Sequence, residues 1–243
     1  MNQFNKRIID FCLGILYPKR CVACEKVLLK MEKERGFCSS CAKELRYVGN
    51  NYCMKCGAPL KVKGAEYCRD CQENLHIYNQ CKGVFRYEGQ MKKALYRFKY
   101  SNRRSYGVTF AWHAHHRYGQ WIKDMGIECI VPVPMYKPKE KRRGYNQAEV
   151  FAKALSDMAN IPVESRIVKR ENETVAMKEL NGLKRKKNLL NAFITSENDV
   201  QFRKVLIVDD IYTTGTTMDE VARALKAAGV AEVYGMCICI GEI

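Results

Sequence analysis

The tightest constraint on this chain is the stretch at residues 205–217, VLIVDDIYTTGTT. Val205, Leu206, Ile207 and Val208 are apolar and mostly β-branched, and a short run of that kind reads as a buried strand. Asp209 and Asp210 follow at once. Then comes a turn of small hydroxyl residues around one glycine: Thr213, Thr214, Gly215, Thr216 and Thr217. The next segment, MDEVARALKAAG, sets Val221, Leu225 and Ala228 on one helical face, with Gly229 as its stop. Thr217 and Glu220 have the spacing of a capping box. Gly215 lets the backbone turn tightly and approach a ligand. The loop amides and threonine hydroxyls are donors at the positive end of a helix, which suits a phosphate. The two acids can accept hydrogen bonds from vicinal hydroxyls or help hold a metal. A phosphate cup beside a diol clamp describes a ribose 5-phosphate. A ligand-free strand, turn and helix is the blander reading, and the adjacent carboxylates at the carboxyl end of a buried strand argue against it.

Four hydrophobic residues, two acids and a threonine/glycine loop resemble the phosphoribosyl pyrophosphate (PRPP) motif of type I phosphoribosyltransferases. The resemblance implies that Asp209 and Asp210 face the ribose 2- and 3-hydroxyls. It also implies that residues 213–217 wrap the 5-phosphate.

Thirteen cysteines are many for 243 residues, and eight of them fall into four CxxC pairs: Cys21/Cys24, Cys38/Cys41, Cys53/Cys56 and Cys68/Cys71. Gaps of 13 and 11 residues separate the first two and the last two pairs, so the segment is an internal repeat. Each pair is a tight knuckle that aims two thiolates at one ion, and two knuckles complete a tetrahedral four-cysteine zinc site. Two structural zinc sites are expected. Sequential pairing would keep each ribbon local; a cross-braced pairing also satisfies the spacing. The metals should carry much of this small module's folding energy. Cys12, Cys81, Cys129, Cys237 and Cys239 lie outside the pattern and read as small core residues.

No apolar run reaches the ~18 residues of a membrane span, so no membrane insertion is expected. Lys6 and Arg7 before IIDFCLGIL mimic a signal peptide, but Asp10 interrupts the run and no small-x-small site follows. A short amphipathic helix with Ile8, Phe11, Leu13 and Leu16 is expected there. A cytoplasmic, reducing location follows, with thiols kept free for metal. The formal charge is +16, from 42 basic and 26 acidic residues. Loading two zinc ions on eight thiolates lowers it to about +12, so the chain stays strongly basic.

Further along, CKGVFRYEG reads as a strand, and MKKALYRFKY and AWHAHHRYGQWI as helices. His113, His115 and His116 lack a metal-ligand spacing. In ECIVPVPMYKPKEKRRGYNQAEV, Ile130, Val131 and Val133 form a strand that Pro132 and Pro134 end stiffly. A basic loop, Lys137 to Arg143, then leads into a helix from Ala148. A solvated charged loop is the ordinary reading. Departure from the carboxyl end of a strand, where open α/β sheets place ligands, favours a functional one. VESRIVKR and AEVYGMCICI read as further strands.

RRGYNQAE resembles the RGFNQ signature of the ComF family of bacterial natural competence, with Tyr145 for the usual Phe. The paired CxxC motifs, FKY and LKRKKNLLNAF extend the resemblance over almost the whole chain. Arg185 and Asn188 match the family's pattern; Thr174, Val175, Ala176 and Met177 stand where many relatives carry a Pro-Gln pair. The resemblance implies an α/β fold, type I phosphoribosyltransferase-like, with a mostly parallel sheet between helices. Residues 1–75 would form the N-terminal helix and double zinc ribbon, and 76–243 the phosphoribosyltransferase-like domain. Lys99, Val133, Pro134 and Lys137 are candidate pyrophosphate contacts, with Arg142 and Arg143 from the loop and Mg²⁺ accompanying PRPP. The sequence names no catalytic residue and no nucleobase pocket.

Three functions fit. One is a competence protein that binds single-stranded DNA during uptake and keeps a PRPP pocket, its partners DNA-import and recombination proteins such as the ComF helicase. Basic segments interleaved with Tyr96, Tyr100, Tyr106, Tyr136 and Tyr145 suit backbone neutralisation and base stacking. The second is an active phosphoribosyltransferase with an unknown acceptor. The third is a non-catalytic PRPP or nucleotide sensor.

Overall fold

A computed structural model describes residues 18–170, 193–195 and 200–241. The expected N-terminal amphipathic helix, Cys12, the 174–177 segment, the basic run Lys184 to Lys187, and Asn188 lie outside the described residues.

The described chain runs through a 3-10 turn at Lys30–Glu32, α1 (Ser39–Glu44), α2 (Arg69–Glu73), β1 (Gln80–Arg86), α3 (Gly89–Tyr100), α4 (Tyr106–Asp124), β2 (Cys129–Pro132), α5 (Lys137–Arg143), α6 (Gln147–Ala159), β3 (Val168–Arg170), β4 (Phe193–Thr195), β5 (Lys204–Tyr212), α7 (Thr216–Ala227) and β6 (Glu232–Ile240). Strands β1, β6, β5 and β2 form a parallel sheet in that order, and β3 and β4 pair as a separate antiparallel ribbon.

A parallel strand is buried on both faces, so its residues are apolar throughout. Strand β5 divides them by alternation. Leu206 and Val208 join the core with residues of α3, α4 and α6 such as Phe98, Phe110 and Phe151. Val205 and Ile207 join a second core with Met218, Val221 and Leu225 of α7. Each of these fully buried strand side chains contributes about 1.5–3 kcal/mol. Cys81, Cys129, Cys237 and Cys239 are buried core residues as expected.

The basic segment 137–143 is a short helix rather than the expected loop. Its Lys, Glu and Arg residues are good helix formers, Pro138 sits in the first turn where a proline is tolerated, and Gly144 ends it at φ 86°. The expected capping box at Thr217 is also not formed. Gly215 is the N-cap of α7, so the helix starts one residue before Thr217.

The cysteine-rich segment docks on the sheet. Cys21, Phe37 and Leu45 enter the core on the α3–α4 face; Cys53, Cys56 and Ala58 enter the core on the α7 face. Residues 46–48 run along β1, with Val48 N–H donating to Val84 O (3.1 Å) and Arg86 N–H to Arg46 O (2.8 Å). Buried His113 of α4 fastens the same module. Its Nε2–H donates to Arg35 O (2.8 Å), so Nδ1 accepts from the Tyr47 hydroxyl (3.0 Å). Among the described residues no helix is long and apolar enough to cross a membrane.

Burial pulls the His113 pKa down from 6.5 to about 4. The unfolded chain therefore takes up a proton that the folded chain refuses, and stability falls as pH drops from 6.5 towards 4. Urea unfolding of wild type should weaken across that window, with a shallower pH dependence in His113→Gln. At neutral pH, His113→Ala should cost about 1–3 kcal/mol by leaving two buried partners unmatched.

Candidate functional site

Each cysteine tetrad forms from sequential pairs. The Sγ atoms of Cys21, Cys24, Cys38 and Cys41 lie within 4.8 Å of one another, as do those of Cys53, Cys56, Cys68 and Cys71. The Cys24–Cys38 and Cys56–Cys68 sulfur separations are 3.6 and 3.7 Å. Four thiolates ~2.3 Å from a tetrahedral zinc stand ~3.8 Å apart, so the residues present fit that ion. The knuckles turn as such sites require: Glu25 N–H donates to Cys21 O and Gly57 N–H to Cys53 O, both 2.8 Å, with positive φ at Glu25 and Gly57. Burial pushes the Cys41 and Cys71 thiols well above their usual range, and the Cys53 side chain, then burial, does the same to Cys56. Hydrogen bonding within the tetrads shifts Cys38 and Cys53 the other way, and a divalent cation among four thiols favours the ionised form of all of them.

The acid pair lies inside the carboxyl-terminal half of β5. On one side β5 keeps pairing with β6, Asp209 opposite Cys237 and Tyr212 opposite Ile240. On the other side β2 stops. Pro132 pairs with Val208, and Val133 N–H to Val208 O (2.9 Å) is the last rung. The edge of β5 that carries the acids is thereby left open. This is the crevice beyond the carboxyl ends of parallel strands where α/β sheets bind ligands. Val133 O also accepts from Asn146 Nδ2 (3.0 Å), so both backbone groups of Val133 are engaged.

Both acids are half-buried. Asp210 turns to the α3 face and pairs with Lys99 Nζ at 2.9 Å, the two side chains 15% and 20% exposed. Burial works against the Lys99 charge, but Asp210 and then Asp209 outweigh it and hold its pKa up. Asp209 accepts from the Asp210 amide (2.7 Å). Burial, then the like charge of Asp210, pushes its carboxyl up to about 7. Lys99 and Arg170 act in the opposite direction. Lys139 of α5, largely exposed, lies near the same cluster: partial desolvation, then Arg143, Arg170 and Lys99, lowers its pKa. Lys137 and Arg142 are exposed on the same short helix, and Pro134 is half-buried between β2 and α5.

Residues 213–217 close the far end. Thr213 is exposed, Thr214 and Thr217 are half-buried, and the Thr214 and Thr216 hydroxyls meet at 2.9 Å. Gly215 has φ +72°, and a Cβ there would come within 2.4 Å of the Tyr212 hydroxyl and 2.8 Å of His76. Only glycine fits this turn.

Sequence reasoning missed His76 and Asp219. His76 follows the last cysteine pair and donates Nδ1–H to Asp219 Oδ2 (2.7 Å), while Ile77 N–H donates to Asp219 Oδ1 (2.7 Å). Its other nitrogen lies 3.4 Å from Asp70, the neighbour of Cys71. Asp219 therefore ties the first turn of α7, which carries the threonine loop, to the second ribbon. The first ribbon reaches the site through α3. Arg97 donates to Ala23 O and pairs with Glu25 (3.7 Å), and Arg103 pairs with Glu25 (2.6 Å). The sequence holds no spacing signal for contacts between residues some 75 to 140 positions apart.

Fold and site define a double zinc ribbon joined to a phosphoribosyltransferase fold. Family models agree: a double zinc ribbon domain matches residues 12–72 and a phosphoribosyl transferase domain residues 145–241. The chain is 32% identical over 244 residues to "Competence protein F" of Haemophilus influenzae, covering 96% of each chain. It is 29% identical over 157 residues to "Competence protein ComFC" of Bacillus subtilis, covering 64% of this chain and 61% of that one. A third relative, "DNA utilization protein YhgH" of Escherichia coli K12, is 39% identical over 110 residues, 45% of this chain and 48% of that one. The chain belongs to the ComF family.

Two outcomes follow from these geometries. Cys21→Ser should lower bound zinc from two ions per chain to about one, read by a metal assay; retention of both would separate Cys21 from the ligand set. Asp209→Asn should raise the melting temperature, because the folded protein penalises that carboxylate. The penalty accumulates from the unfolded pKa near 3.8 up to about 7. The gain should therefore be larger at pH 8 than at pH 5.

Proposed function

We propose that the protein acts in DNA uptake, binding single-stranded DNA and holding PRPP with Mg²⁺ in the crevice between β2 and β5. The observation that carries the pocket is the convergence, on one open strand edge, of an acid pair, a hydroxyl and amide cup, and a group of cations. Asp209 and Asp210 accept from the ribose 2- and 3-hydroxyls. Residues 213–217 receive the 5-phosphate at the positive end of α7. Lys99 and the α5 cations Lys137, Arg142 and Arg143 neutralise pyrophosphate together with Mg²⁺. Two half-buried carboxylates would not be held side by side for packing alone, since the arrangement costs stability. DNA uptake is inferred from the names of the competence and DNA-utilization relatives, and the net charge of +16 suits a polyanionic partner. Those names also make other DNA-import and recombination proteins the expected partners. The reducing cytoplasm is the compartment in which the two tetrads would keep their thiols for zinc.

Calorimetric titration of PRPP with Mg²⁺ into the zinc-loaded protein tests the pocket. Wild type should bind, and Asp209→Asn combined with Asp210→Asn should abolish binding while the protein stays folded. Unchanged affinity in that variant would sink the assignment. Turnover of PRPP with any acceptor would instead make the protein a phosphoribosyltransferase.

A further inference from the structure

The outer face of α3 carries a feature that the phosphoribosyl pocket does not use. Tyr96 and Tyr100 stand one turn apart, 64% and 61% exposed, with ring centroids 5.0 Å apart. Two large aromatic rings left side by side in water bury little of their apolar surface. The guanidinium of Arg143 stands 4.9 Å from the Tyr100 ring centroid, and Arg143 also donates to Gln147 Oε1 (2.6 Å). Lys99, on the same helix between the two tyrosines, is turned in to Asp210. Beyond Arg143, Lys137, Lys139, Lys141 and Arg142 are exposed on α5, and none forms an ion pair among the described residues. Two of the other tyrosines read as stacking candidates are spent elsewhere. Tyr106 and Tyr145 are buried, and Tyr145 donates its hydroxyl to Phe98 O.

We propose that Tyr96 and Tyr100 are a stacking platform for successive bases of single-stranded DNA, with Arg143 and the α5 cations taking the adjoining phosphates. The proposal rests on the DNA-binding reading above and gives it a surface. Exposed ring faces next to unpaired cations match a strand whose bases are unstacked and whose backbone is charged. A duplex keeps its base faces inside and would meet only the cations. Because the helix that presents the two tyrosines also turns Lys99 in to Asp210, and Tyr100 adjoins Arg143, the strand runs near the mouth of the phosphoribosyl crevice, and one helix serves both ligands.

Fluorescence anisotropy with a labelled oligothymidylate of about 15 nucleotides, titrated at several salt concentrations, tests the platform. Tyr96→Ala with Tyr100→Ala should weaken binding by about tenfold or more and leave the slope of affinity against salt unchanged, because stacking releases no counterions. Tyr96→Phe with Tyr100→Phe should bind like wild type. Arg142→Ala with Arg143→Ala should flatten the slope. Zinc content and melting temperature of each variant separate lost binding from lost fold. Wild-type affinity in the double alanine variant, loss in the double phenylalanine variant, or equal affinity for a duplex would each overturn the platform while leaving DNA binding in place. No oligonucleotide binding by wild type would remove the DNA-binding reading itself, and the platform with it.

Discussion

Two neighbouring carboxylates set into a buried parallel strand are the costly element of this fold, and much of the rest is arranged around them. Alternation along β5 sends Asp210 towards α3 and Asp209 towards α7, so compensation has to come from both faces of the sheet. Lys99 provides it on one face at 2.9 Å. On the other, Asp209 keeps its raised pKa. The site thus keeps an imbalance that a ligand carrying Mg²⁺ and hydroxyl donors would relieve.

The groups that flank the acids are themselves held from a distance by the cysteine-rich module. The first ribbon grips α3 and the segment after it through Glu25 and Ala23, acting on Arg97 and Arg103. The second grips α7 through Asp70, His76 and Asp219. The two tetrads pack on opposite faces of the sheet and each braces one wall of the crevice. On this geometry ions held in the tetrads would do more than fold a small appendage: they would fix the helices from which Lys99 and the threonine loop project.

Much of this was legible in the chain. Residues 205–208 read as a buried strand because β-branched residues in a short run have few other uses, and the four CxxC pairs announced two tetrads because thiolate pairs at that spacing serve one ion. Less legible was what depends on neighbours. The acids were read at the carboxyl end of the strand, whereas pairing with Cys237 and Ile240 on β6 carries β5 past them to Tyr212. Residues 137–143 read as a charged loop because charge gave no periodicity, although Pro138 and Gly144 were correct helix boundaries. Thr217 and Glu220 had the spacing of a capping box, but the left-handed turn at Gly215 had already started the helix. His76 and Asp219 carried no signal, since their meaning lies in a contact across the fold.

The strip at residues 46–48 has a further consequence. Strand β1 is the outer strand of the sheet, and an outer strand offers a row of free backbone donors and acceptors to any passing extended chain. Here Val48 and Arg46 occupy that row from the ribbon side, Lys55 O accepts from Cys81 N–H, and at the opposite border Pro162 and Glu164 do the same for β2. The ribbons are therefore the hem of the sheet. A shortened protein that kept only the phosphoribosyltransferase fold would expose a raw, apolar border along β1, inviting self-association through added strands.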